Sequence, residues 1–407
     1  MKHLLPTVVV IFIASAIAAQ TPAPSWSQWR GPARDGVASS FTAPATWPAQ
    51  LTKKWEATVG AGHASPVIAG TRIIVHTRQD NREVLTAFDL ASGKQLWQDG
   101  VDAPYTMNKA AAGHGPGPKS TPAIAGGRVF ALGVSGIFSA HDLATGKLLW
   151  RKPAPAVPQE YGTSNSPIVD GTTVIAFLGG QKGGALTAMD AATGSVKWQW
   201  TGDVPGYASP IIATIGTRQL ITQSESKVIG VSVADGKLLW EAPLKTPYNQ
   251  NIVTPLVVND VVISSGYRGP TIAYSITAGQ GKGWTATPRW SNDQVSMYMS
   301  SPAASGTTIF GLSNKNRGQF FAIDAATGKT LWLGKGREAD NASIVRAGNV
   351  LLLSTTNSEL IVARPSATTL EEVKRYTIAD SATWAHPAYA GRTIAVKDVD
   401  KLIVWGF

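Results

Sequence analysis

Eight times along the chain, a short apolar run opened by a Ser-Pro, Thr-Pro or related pair leads about thirty residues later to a closing aromatic. The starts are Ser65-Pro66, Thr121-Pro122, Ser166-Pro167, Ser209-Pro210, Thr254-Pro255, Ser301-Pro302, the degenerate Ala342-Ser343, and His386-Pro387, spaced 56, 45, 43, 45, 47, 41 and 44 residues apart. The closing aromatics are Trp97, Trp150, Trp198, Trp240, Trp290, Trp332 and, in the weakest unit, Tyr376. A period of about 45 residues is the signature of a β-propeller with one four-stranded blade per repeat.

The ends of the chain fit one ring. The eighth start, at Pro387, leaves room for only two or three strands before Phe407. At the other end, Lys53-Lys54-Trp55-Glu56 resembles Leu149-Trp150-Arg151 and Leu239-Trp240-Glu241, so Trp55 supplies the eighth aromatic. Pairing this N-terminal strand with the last blade removes an open sheet edge. The expectation is an all-β, eight-bladed propeller of four-stranded antiparallel blades over 51–407, closed by the N-terminal strand.

Within each repeat the pattern is β. In the second, Arg128 to Gly133 and Ile137 to Ala140 are apolar runs separated by a Ser135-Gly136 turn, and Asp142-Leu-Ala-Thr-Gly-Lys147 leads into Trp150. Short apolar runs bounded by Gly, Asp and Ser are strands joined by tight turns. The Asp-x-x-Ser/Thr-Gly turn recurs at Asp89, Asp142, Asp190 and Asp324, each eight residues before its Trp. Its Gly takes the positive-φ corner and its Asp accepts the turn's N–H groups. Repeats four and five are read as keeping the turn with Ser232 and Ser275 at the Asp position, and repeat seven as placing Ala363 there.

The pattern Ala-x-Asp-x-x-Thr-Gly-Lys-x-x-Trp, seen in full at Ala322 to Trp332, resembles the tryptophan-docking repeat of the pyrroloquinoline-quinone (PQQ) propeller superfamily. The resemblance spans about 51–407. It implies that Trp55, Trp97, Trp150, Trp198, Trp240, Trp290 and Trp332 are structural, each stacked between blades, and it does not by itself imply a bound quinone. Trp26-Ser-Gln-Trp29-Arg30-Gly31-Pro32 also resembles the leader of secreted bacterial PQQ-like repeat proteins.

Residues 1–19 read as a secretory signal peptide: Lys2, an apolar run from Leu4 to Ile17, and small residues around Ala16 and Ala18. No later stretch suits a transmembrane helix. The chain has no cysteine, which excludes disulfides, thiolate metal sites and a lipidated cysteine in this sequence. A periplasmic or secreted monomer is expected. Net charge is +10, or +9 without Lys2, but the bases are scattered and no nucleic-acid-binding motif accompanies them. Residues 20–50 mix linker composition with Trp26, Trp29 and Trp47, and are expected to lie against the propeller with their tryptophans in grooves.

No catalytic constellation stands out. His-Glu-x-x-His and Gly-x-Ser-x-Gly are absent, and no cluster has metal-ligand spacing. Gly328-Lys329-Thr330 imitates a phosphate loop, but Ile323 occupies the required upstream Gly position. A site is therefore expected in the funnel where the blades meet. The loops leading into the inner strands bring His63, His114, Asn165, Tyr207, Asn251, Tyr298, Trp384 and His386 there, and the loops between second and third strands bring Arg268. Aromatic, amide and basic groups converging on one axis suit an anionic or peptide ligand.

Three functions follow. The first is a non-enzymatic exported module that binds a protein, peptide or glycan partner in the cell envelope, with no cofactor and no metal. The alternative is a PQQ- and calcium-dependent dehydrogenase of alcohols or sugars, for which Glu225 and Asn251 could be recruited as hard calcium ligands, although no family motif marks them. The resemblance implies for that class a longer chain and, in its alcohol-oxidising branch, an adjacent Cys-Cys pair. The third is a soluble factor in outer-membrane protein assembly, resembling the propeller lipoprotein of that machinery.

Overall fold

A computed structural model describes residues 25–279 and 283–407; the proposed signal peptide lies outside them. The chain folds into eight antiparallel sheets, one per repeat, each a four-stranded blade, with strands stacked in chain order in blades 1 to 7 and one extra short strand on blade 1. Blade 2 is typical: Ala123–Ala125, Arg128–Leu132, Phe138–Asp142 and Leu148–Lys152. First strands touch between blades 1 and 2, 2 and 3, 6 and 7, and 8 and 1, which places them at the axis. Blade 8 takes Ala388–Ala390, Thr393–Lys397 and Lys401–Gly406 from the C-terminus and Thr52–Thr58 from the N-terminal side. Thr52 pairs with Gly406 and Thr58 with Lys401, which closes the ring.

The repeat motif has a physical reading in every part. In the seven blades that close on a Trp, the fourth strand carries a register shift immediately before it. Such a bulge adds one residue and re-aims the side chains that follow. Beyond the shift the Trp faces a small residue on the third strand: Ala87 for Trp97, Ala140 for Trp150, Ala188 for Trp198, Gly230 for Trp240, Ala273 for Trp290 and Ala322 for Trp332. The small residue two places before the turn Asp is therefore space for an indole.

The indole then reaches the turn of the next blade. Trp97 Nε1 donates to Leu143 O at 3.0 Å, Trp150 to Ala191 O at 3.1 Å, and Trp198 to Val233 O at 3.1 Å. Trp290 donates to Ala325 O at 2.9 Å and Trp332 to Ser366 O at 2.9 Å. Trp55 of blade 8 donates to Leu90 O of blade 1 at 2.9 Å, so the docking pattern passes through the closure. The turn itself is held by its Asp: Asp142 Oδ1 accepts from Thr145 N at 2.8 Å and Thr145 Oγ1 at 2.7 Å. These bonds favour the ionised form and lower the Asp142 pKa.

Blade 5 departs from the expectation. Ser275 does not occupy a turn; it pairs with Thr287 inside a long hairpin formed by Thr271–Gly279 and Gly283–Asn292. With no docking turn to meet, Trp240 of blade 4 turns inward and donates to Gln219 Oε1 of its own blade at 2.6 Å. In blade 7 the Tyr376 hydroxyl donates to Pro48 O at 2.7 Å.

Residues 25–42 cross the axis and bind seven of the eight blades. Ser25 and Trp26 add a fifth strand inside blade 1, and Ser27 O accepts from Ile124 N of blade 2 at 2.7 Å. Arg34 donates to Ser166 O and Pro167 O of blade 3 at 3.0 and 2.7 Å. Trp29 Nε1 donates to Thr254 Oγ1 of blade 5 at 2.8 Å. Arg30 donates to Ser301 O of blade 6 at 2.8 Å and to Pro302 O. Ala38 N and Arg346 of blade 7 bond at 2.8 Å, and Thr42 N donates to Gly391 O of blade 8 at 2.7 Å. Both arginines are at most 2% exposed and meet backbone carbonyls rather than a carboxylate. Burial lowers the Arg30 pKa to about 10 and the Arg34 pKa to about 9. The segment plugs the channel.

Candidate functional site

Above the plug lies a cavity of about 180 Å³. Its floor is Trp29 stacked on His386, with centroids 4.3 Å apart and planes 29° from parallel. The wall on one side is His63, His114 and Trp384, with His114 edge-on to Trp384 at 4.8 Å. The opposite wall is Tyr161 and Tyr207, whose centroids are 5.9 Å apart, and Tyr298. Tyr298 packs at 4.6 Å on Tyr267, which in turn carries the Arg268 guanidinium at 5.0 Å.

The site is aromatic and nearly uncharged. Lys119 is the one cationic side chain in its lining, and no carboxylate lines it. Lys119 Nζ donates to Tyr161 O at 2.8 Å, and desolvation lowers its pKa to about 8, so it remains a cation at neutral pH. Burial pushes His63 and His386 down to about 3, which makes both neutral. His63 Nε2 and His386 Nδ1 are buried without a hydrogen-bond partner. Burial raises Tyr298 to about 12 and Tyr207 further in the same direction.

Six of the nine expected site residues meet here: His63, His114, Tyr207, Tyr298, Trp384 and His386. Three do not line the cavity. Asn165 is fully buried, accepts from Phe177 N at 3.1 Å and donates to Phe177 O at 3.3 Å. Asn251 is fully buried, and the two N–H groups of its Nδ2 are shared among Ser224 O, Glu225 O and Leu244 O at 3.1, 2.9 and 2.8 Å. Both are loop fasteners: Asn165 satisfies a backbone donor and acceptor together, and Asn251 joins backbone carbonyls to the Thr246 hydroxyl. Arg268 is exposed on the rim. Sequence reasoning missed Lys119 as part of the site and took Trp29 for a groove filler; Trp29 fills the channel and also forms the cavity floor.

These residues do not fit a calcium-bound quinone. The Asn251 oxygen that calcium would need accepts from Thr246 Oγ1 at 2.9 Å, and Glu225 accepts from Asn249 Nδ2 at 2.7 Å. Among the described residues, no group of three His, Cys, Asp or Glu side chains is placed to hold a metal ion. A tricarboxylate would meet a single ammonium.

The fold and funnel define a tryptophan-docked, PQQ-like eight-bladed propeller with an aromatic pocket at its axis. The family model described as outer membrane protein assembly factor BamB matches residues 52–112 and 81–333, and the chain belongs to this family. It is similar to outer membrane protein assembly factor BamB of Yersinia pestis, 24% identical over 56% of this chain; the match spans only 59% of that protein's length. Among solved structures, BamB from Moraxella catarrhalis superposes with a TM-score of 0.65 at 15% identity, covering 88% of this chain and 98% of that one. Quinohemoprotein alcohol dehydrogenase from Comamonas testosteroni gives a TM-score of 0.67 at 14% identity, covering 96% of this chain and 81% of that one. At such identities the two structures speak for the shared propeller alone.

Proposed function

We propose that this chain is a non-catalytic, periplasmic scaffold that binds protein partners in outer-membrane protein assembly. The family match running from residue 52 to 333 supports this reading over the dehydrogenase alternative. The observation that carries it is that the two candidate calcium ligands hold loops instead: Asn251 Oδ1 accepts from Thr246 Oγ1 and Glu225 from Asn249 Nδ2. The plug ties seven blades to one another, and a ring preorganised in this way lowers the ordering cost of binding a partner.

The test is affinity purification of the tagged, full-length chain from the native envelope after in-cell crosslinking. Components of outer-membrane assembly are expected to co-purify. Their absence, together with dye-linked alcohol oxidation by the purified protein supplied with PQQ and calcium, would replace this reading with the alternative.

A further inference from the structure

The aromatic cavity has a chemistry that partner docking on outer loops does not use. Its volume of about 180 Å³ is similar to that of an engineered apolar cavity of about 150 Å³ that binds benzene. Trp29, Trp384 and Tyr207 offer ring faces and edges at several orientations, so an entering ring can stack on one and meet another edge-on. A single cation, Lys119, stands among them. Its ammonium has three N–H groups and gives one to Tyr161 O, which leaves two for a ligand. Glu160, the adjacent carboxylate, is outside the lining and accepts from Asn108.

We propose that the funnel binds an aromatic monocarboxylate, with the ring between Trp384 and the Trp29–His386 floor and the carboxylate on Lys119. A cationic ligand would find no carboxylate in the lining, and a polyanion would find one positive charge for several negative ones. A neutral ring would forgo the charge-assisted hydrogen bond. A free aromatic acid and the C-terminal phenylalanine of a peptide share this chemistry. The inference is independent of the scaffold reading, since it concerns the purified chain alone.

Calorimetry on the full chain at pH 7 tests it with phenylacetate, the peptide Gly-Gly-Phe, and the amide of each. The acids are expected to bind at least tenfold more tightly than their amides. Lys119→Met should bring acid and amide to the same affinity, and Lys119→Arg should restore most of the difference. Trp384→Ala should weaken both acid and amide, with an unchanged melting temperature showing that the ring stays folded. Binding of phenylacetate without Gly-Gly-Phe identifies a free acid as the ligand; binding of both admits a peptide terminus. Equal affinity for acid and amide in the unaltered protein, discrimination that survives Lys119→Met, or no binding at millimolar concentration would each overturn the proposal.

Discussion

Trp29 lies on His386 with their rings 4.3 Å apart, so a residue ahead of the propeller and the opening residue of its last blade together form the funnel floor. The same segment that shapes the pocket also fastens the blades. Arg30 reaches blade 6 and Arg34 reaches blade 3 across the axis, each by a forked guanidinium onto two consecutive carbonyls. Pocket and stability are thereby coupled through one stretch of chain.

Arg34→Ala should therefore destabilise the protein. It leaves Ser166 O and Pro167 O without a donor in a buried setting, at a cost of about 1–3 kcal/mol for each unsatisfied group. Arg34→Lys should recover little, because an ammonium cannot reproduce the planar fork. Denaturant midpoints of the three proteins check this, and a stability of Arg34→Ala within about 0.5 kcal/mol of the parent would refute it.

The docking turns can be tested by a pair of glycines with almost the same backbone. Gly146 has φ +74° and a Cβ placed there would sit 2.6 Å from the Trp97 ring, whereas Gly127 has φ +71° and nothing within 4 Å. Both Ala substitutions carry the strain of the left-handed region. Only Gly146→Ala must also displace an indole, so it should lose more stability than Gly127→Ala. Trp150→Ala, which empties a buried site between blades 2 and 3, should cost about 3–5 kcal/mol.

Ring closure makes a separate prediction. Deleting 50–60 removes the strand that pairs with Lys401–Gly406 and the Trp55 bond to Leu90. The third strand of blade 8 then becomes an open edge, and the truncated protein should melt earlier and self-associate at concentrations where the parent stays monodisperse by light scattering. An unchanged melting temperature would contradict the role given to this strand.

The blade count and the closure were legible because bulge, small residue, Asp turn and Trp recur together; each signal serves the same contact. Blade 5 was misread because Ser275 stands 21 residues after its start at Thr254, as Asp142 does after Thr121; it precedes Trp290 by 15 residues rather than eight, and the flanking Tyr274 and Ile276 continue a strand that pairs through to Gly279. Asn165 and Asn251 looked like funnel ligands since polar loop residues at strand starts carry no mark of direction. Their amides are consumed by backbone groups that only coordinates reveal. Trp29 was hidden for a different reason: the path of residues 25–42 across the axis follows no repeat, whereas Lys119 stands in the entry loop of blade 2, two places before Thr121, where the sequence does not mark which way a lysine faces. The arginines that fix the path bind carbonyls, which any residue supplies.

Acid should unfold this protein earlier than its carboxylates alone would dictate. His63, His76 and His386 have an ordinary pKa of 6.5 and are each pushed to about 3, mainly by burial. Lys397, Lys119 and His114 near His63, His141 near His76, and Arg30 near His386 add repulsion in the same direction. The unfolded chain thus binds three protons that the folded chain refuses, so this stability is complete above pH 6.5 and is lost as pH falls from 6.5 toward 3. Glu83 works in the opposite sense: burial raises it to about 7, and falling pH relieves the cost of its charge between 7 and 4.5. Glu83 Oε2 lies 3.9 Å from His76 Nε2, so those two opposed effects offset each other, and His63 and His386 leave a net loss on acidification, at about 1.4 kcal/mol per pH unit for each fully titrating histidine. Guanidinium midpoints measured from pH 7.5 down to 4.5 should fall monotonically below 6.5. His386→Asn should show a shallower slope over the same range, by about one proton. A flat profile, or an identical slope in the variant, would show that these imidazoles are free to protonate in the folded ring.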